Sequence, residues 1–151
     1  MTEAEFSAME PREQDAAVAV ARGWVWFRLI NMGDVAGSFV SLIDPKRLVA
    51  ETMVVVDDPE QYIPHKMAHY QVQPFTTDLS TAWDLVDELE TDGFWFSLVR
   101  RTEHVQDPDP TWVASFRCVW GGTRGDYEAM GDTVPLAICI ASLRAKGAIE
   151  G

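Results

Sequence analysis

The chain has 151 residues, of which 47% are apolar and 24% charged, and its formal net charge is −12. That length suits one domain, able to bury roughly two-thirds of the surface its unfolded form exposes. The acidic balance argues against duplex nucleic acid as a partner, because phosphate neutralisation needs clustered Lys and Arg. No apolar run is long enough to span a membrane. The first twelve residues carry Glu3, Glu5 and Glu10 without an apolar stretch, unlike a signal peptide. Cys118 and Cys139 lie in apolar segments and share no metal or redox spacing, so they read as buried reduced thiols of a cytosolic protein.

Residues 11–22 predict a first helix: Pro11 suits its first turn, an Ala- and Val-rich stretch follows, and Gly23 ends it. Residues 24–30, Trp-Val-Trp-Phe-Arg-Leu-Ile, are aromatic and β-branched and predict a strand. Residues 39–43 and 48–56 read as a hairpin around Asp44-Pro45-Lys46-Arg47, with Val54-Val55-Val56 as a buried strand run. From Asp57 to Pro74 the prolines predict a long ordered loop with a short strand near residues 70–72.

Asp78 is placed to cap a second helix whose stripe is Leu79, Ala82, Trp83, Val86 and Leu89, and Gly93 stops it. Between Asp78 and Asp92 there are six acids and no base. Residues 94–101 and 112–120 predict two strands flanking a tip at 102–111. In the second of these strands Trp112, Ala114, Phe116, Cys118 and Trp120 share one face, and Ser115 and Arg117 the other. Gly121 to Gly125 breaks that strand, and Asp132 starts a last helix running to about Ala145. No repeat is evident. The pattern is α+β: a single-domain sandwich over 1–151, mostly antiparallel sheet with helices packed on it, residues 34–73 forming a hairpin plus long loop insertion.

Three blocks carry a family resemblance. They are Asp15-Ala16-Ala17-Val18-Ala19 with Gly23-Trp24, then Phe75-Thr76-Thr77-Asp78 with Ala82-Trp83, and finally Asp132-Thr133 with Pro135-Leu136-Ala137-Ile138-Cys139, Ala141 and Leu143. In these blocks and in its element order the chain resembles the phage ABA sandwich domain family. The resemblance implies a small phage or prophage α/β protein and transfers no catalytic residue.

Each candidate site has a bland alternative. His65 and His69 have a ligand-like spacing of four but sit in a loop sequence, so they read as a solvated pair before a metal site. His104 with Asp107 and Asp109 could chelate a cation, or simply form an exposed Asp-Pro turn. Gly121 to Gly125 could present N–H groups to an anion with Arg124 pairing beside them, or serve only as a connector. It is neither a Walker A loop nor a dinucleotide fingerprint. Arg100, Arg101 and Arg117 fall on neighbouring strands if 94–101 and 112–120 pair. Arg101, grouped by alternation with Trp95, Ser97 and Val99, and Arg117, grouped with Ser115, could form a nucleotide-binding patch, or these Arg residues pair with the acidic helix or line the sheet edge. Of the six Trp residues, core placement explains all but Trp95, an exposed stacking platform.

No nucleophile elbow and no local Cys, His and Asp grouping is present, which favours binding over turnover. The expectation is a non-enzymatic phage accessory protein of the host cytosol, needing no cofactor or metal. It sequesters a small anionic ligand, a nucleotide signal of antiviral defence, through Trp95, Arg101, Arg117, Gly122, Thr123 and Arg124, as a homo-oligomer. Two further readings stand beside it. One is an inhibitor of a host nucleic-acid enzyme that presents Asp84, Asp87, Glu88 and Asp92 as phosphate mimics. The other is a small hydrolase assembled from distant residues.

Overall fold

The computed structural model describes residues 1–30, 39–59, 63–64, 72–102, 111–120 and 123–150, with backbone alone at 39, 63–64, 119–120 and 123–124. The elements in chain order are α1 (Glu3–Ser7), α2 (Pro11–Ala21), β1 (Val25–Leu29), β2 (Phe39–Ile43), β3 (Met53–Val55), β4 (Ile63–Pro64), α3 (Leu79–Thr91), β5 (Trp95–Arg101), β6 (Thr111–Trp120), β7 (Thr123–Gly131) and α4 (Val134–Ala145). They make an α+β fold, consistent with a sandwich, in which every strand pairing but β2 with β4 is antiparallel. The chain divides into two compact units, Met1–Pro11 with Pro74–Gly151, and Arg12–Gln73.

In the unit Arg12–Gln73 the sheet order is β3-β1-β2-β4. The aromatic strand β1 lies between its two antiparallel neighbours, so Phe27 pairs with Ser41 on one side and Val55 on the other. The expected hairpin of 39–43 with 48–56 is therefore not formed. Asp44 caps a one-turn 3-10 helix, Pro45–Arg47, by accepting the Lys46 N–H at 3.0 Å, and the chain crosses to the far side of β1. Within this sheet β1 carries the most aromatic residues, Trp26 and Phe27, and a place between two strands satisfies both of its edges with hydrogen bonds. The Val54-Val55 run is consequently on an edge strand, 36% and 45% exposed, and is not buried. The short strand falls at Ile63–Pro64, parallel to β2, while residues 70–71 of the expected one lie outside the described residues.

The other unit is built on the sheet β5-β6-β7. α4 packs on β6 and β7, and α3 packs on α4 and β5. The covered face holds Phe96, Ala114, Phe116, Ala129 and Gly131, with Ala114 and Phe116 fully buried. Phe96 stacks on Phe116 at 5.1 Å between centroids and meets the edge of Trp83 at 5.5 Å. In α3 the buried stripe is Ala82, Leu85, Val86 and Leu89. Leu79 and Trp83 lie at its border, 50% and 42% exposed, so Trp83 is only half a core residue. Burying the α3 and α4 stripes contributes on the order of 2 kcal/mol per large apolar side chain.

Sequence and structure differ most after Trp120: Gly121 to Gly125 reads as a break, whereas 123–131 form β7, which pairs with β6 from Trp120 opposite Thr123 to Trp112 opposite Gly131. Its Gly, Asp and Glu content gives poor strand propensity, and the ladder with β6 overrides it. α4 begins one residue later than expected: Thr133 is the cap, its hydroxyl accepting the Leu136 N–H. α1 is also new to the reading, and its sequence signal is the reciprocal Thr2–Glu5 capping box. Two ion pairs tie this unit together, Arg144 to Glu3 and Lys146 to Glu88, the latter at 2.5 Å.

Candidate functional site

Strand alternation gives the β5-β6-β7 sheet a second face, opposite the helices. The register arranges it in rungs. Trp95, Arg117 and Asp126 form one; Ser97, Ser115 and Glu128 the next; Val99, Val113 and Met130 the third; Arg101 and Thr111 close the series. Val113 and Ser115 on the central strand are 7% exposed, whereas Trp95 is 79%, Val99 55% and Met130 53% exposed. An indole that open on a strand is a large apolar surface left to solvent, the kind of feature that marks a contact site.

A polar line crosses the face. Arg117 donates to Asp126 at 2.9 Å, Ser115 donates to the other Asp126 oxygen at 3.5 Å, and the Ser97 and Ser115 hydroxyls meet at 3.4 Å. Arg117 and Asp126 are both more than half exposed, so water screens the pair and it contributes well under about 1 kcal/mol. The bond draws the Arg117 guanidinium toward Asp126 on β7, while Trp95 stands on the other side of Arg117 on β5. An exposed indole and a guanidinium on neighbouring strands suit a flat ring carrying negative charge.

Of the expected site residues, the sheet brings Trp95 and Arg117 into one rung. Arg124 is in β7 opposite Val119, one same-face rung beyond Arg117 and opposite in direction to Ser115. Arg101 is six residues from Trp95 along the same strand, which at about 3.3 Å per residue sets it about 20 Å away. Within one chain, then, Arg101 does not join that rung. Thr123 and Arg124 are ladder residues of β7, not turn residues as expected, which leaves their backbones in a strand where an N–H nest was anticipated; Gly122 lies outside the described residues. Arg117 pairs with Asp126, not with the acidic helix.

On α3, Leu79, Ser80, Trp83, Asp84 and Asp87 line a shallow groove. The expected acid row is interrupted, because Glu88 is turned to Lys146 of α4. His65, His69, His104, Asp107 and Asp109 lie outside the described residues. Among the described residues no group of three His, Cys, Asp or Glu side chains is placed to hold a metal ion, and no helix is long and apolar enough to cross a membrane. Both thiols are unpaired with one another; Cys139 is buried with its Sγ donating to the Phe75 carbonyl at 3.3 Å, while Cys118 is only half-buried. Asp126, the one new residue at the site, was hidden from sequence reasoning because β7 was.

A helix-backed sheet of this kind, with one face left to carry exposed aromatic and charged side chains, defines a small α+β sandwich protein. The chain belongs to the phage ABA sandwich domain family, whose model matches residues 46–143. The match takes in the middle and last resemblance blocks and starts after the first, while residues 46–73, set apart as an insertion, fall inside it. No curated protein and no solved structure matches the chain.

Proposed function

We propose that this phage protein acts by binding a small anionic, ring-bearing ligand of nucleotide type on the face of the β5-β6-β7 sheet, sequestering it from a host antiviral response in the host cytosol. The observation that carries the reading is the rung of Trp95, Arg117 and Asp126. It combines a 79% exposed indole with a guanidinium on the neighbouring, hydrogen-bonded strand. Stacking on such a ring is worth about 1–3 kcal/mol per base, and the guanidinium pairs with phosphate through two parallel hydrogen bonds. Family membership supports the phage origin.

Titration calorimetry against mono-, di- and cyclic nucleotides tests this. Trp95→Ala is expected to weaken binding roughly 10-fold or more, the stacking contribution. Asp126→Asn is expected to tighten it, since it removes a carboxylate that competes with phosphate for Arg117. Absence of heat across the panel, or a Trp95→Ala variant that binds undiminished, would sink the reading.

The α3 groove favours a second reading, capture of a basic segment of a host enzyme. Leu79 and Trp83 provide apolar contact and Asp84 and Asp87 an acidic rim. Reversing Asp84 and Asp87 to Lys is expected to abolish salt-sensitive co-purification with that enzyme, and retained capture would end the idea.

A further inference from the structure

β5 is an edge strand: the sheet order is β5-β6-β7, and among the described residues nothing pairs with its outer side. Natural edges are blunted by charges placed so that a second edge meets a like charge. β7, the other edge, is protected in this way along its acidic stretch, Asp126 to Glu128. Antiparallel pairing of two copies about Tyr127 would set Asp126 of one against Glu128 of the other, and centring on either acid would set it against itself.

β5 is the reverse case. Antiparallel pairing of two copies about Leu98 sets Trp95 against Arg101, Phe96 against Arg100, and Ser97 against Val99. Each guanidinium then faces an aromatic ring and neither faces its own kind, although Arg100 and Arg101 look like edge-blocking charges in a single chain. Trp95, Val99, Arg100 and Arg101 are all exposed, so no side chain has to leave a core to make the pairing. Cation–π contacts of this type are attractive even at exposed sites.

We infer that the β5 edge is a two-fold interface through which a second copy of this chain extends the sheet from three strands to six. The pairing supplies what one chain lacks. Arg101 is about 20 Å along the strand from the Trp95 rung in its own chain, but the Arg101 of the second copy lies directly opposite Trp95, on the side away from Arg117. The two Trp95 rungs of the dimer each gain a guanidinium from the other copy. The interface is inferred from the edge and does not depend on what the face binds. Seven paired residues make an interface smaller than the roughly 1,600 Å² of a standard stable complex, so the dimer forms in proportion to concentration.

Sedimentation velocity of the full chain without nucleotide tests it. The expected result is a monomer–dimer equilibrium. Trp95→Arg, which sets Arg against Arg twice, is expected to weaken the dimer by about 10-fold or more, since like charges directly opposite are destabilising. The double variant Trp95→Arg with Arg101→Trp restores the facing pairs in reverse and is expected to recover dimerisation, while circular dichroism shows all three chains equally folded. A monomer at every concentration up to the solubility limit overturns the inference, as does a dimer indifferent to Trp95→Arg or an open series of larger species. The readout is mass alone, so a missing dimer and a missing nucleotide site are separate outcomes.

Discussion

Asp78 shows how a single carboxylate sets a helix start and a pH response together. Its Oδ1 accepts the Thr81 N–H and the Thr81 hydroxyl, both at 2.8 Å. The backbone bond first, and the hydroxyl second, hold the carboxyl below its usual range. A carboxyl whose pKa is lowered in the folded state stabilises that state above its unfolded pKa, and the contribution disappears as pH falls through the folded value. Asp78→Asn keeps an acceptor at the cap but cannot titrate. The expected outcome is a shallower loss of stability below about pH 4 than in the parent chain, measured by urea unfolding across the acid range; identical acid limbs would refute it. Glu5 obeys the same rule, lowered chiefly by the Thr2 N–H.

Two glycines of β7 separate a rigid approach from an adaptable one at the scale of elements. A Cβ at Gly131 would lie 2.7 Å from the Ala137 backbone nitrogen and 3.1 Å from its Cα, so α4 would have to move off β7. A Cβ at Gly125 would meet only the Tyr127 ring, at 2.6 Å, and a ring on the strand's side can swing away. Gly131→Ala is therefore expected to cost about 1–3 kcal/mol, the usual penalty of overpacking, and Gly125→Ala clearly less; equal thermal midpoints for the two variants would contradict this. Another element device closes three helices: α4 has it at Gly147, φ 68°, with the Ala148 N–H reaching the Leu143 carbonyl at 2.9 Å, and α2 and α3 have it where a strand follows. α2 and α3 each end at a glycine with positive φ, Gly23 at 91° and Gly93 at 94°, where L side chains are strained. In both, the next residue's N–H reaches back five positions, Trp24 to Ala19 at 3.0 Å and Phe94 to Leu89 at 2.9 Å. Each helix thus hands over directly to an aromatic strand, and both glycine stops were readable from the sequence.

At the scale of the whole molecule the net charge of −12 dominates. Self-repulsion of that size opposes the compact state and is screened within about 8 Å at physiological ionic strength. Raising salt from about 0.01 M to about 0.15 M is expected to raise the thermal midpoint, followed by differential scanning fluorimetry. A fall instead would mean that the Arg144–Glu3 and Lys146–Glu88 pairs outweigh the repulsion. The same charge makes the cationic stretch Arg100-Arg101 and Arg117 exceptional, and it would confine any anionic ligand to a local patch.

Local signals determined helices α2, α3 and α4, the Asp78 cap and the Gly23 and Gly93 stops, the α+β class and the family, because capping, periodicity and glycine conformation act within a few residues and survive any later packing. Trp95 was also singled out as the exposed tryptophan, which it is, although Trp83, read as core, is exposed as well. Tertiary structure alone decided which strands are neighbours. β1 took the centre of its sheet from the expected hairpin, and β6 drew the weakly strand-forming 123–131 into a ladder, because a hydrogen-bonded edge and a shared apolar face outweigh intrinsic propensity. That pairing placed Asp126 beside Arg117, a juxtaposition that depends on register and on nothing encoded locally, whereas the distance from Trp95 to Arg101 follows from their spacing along one strand.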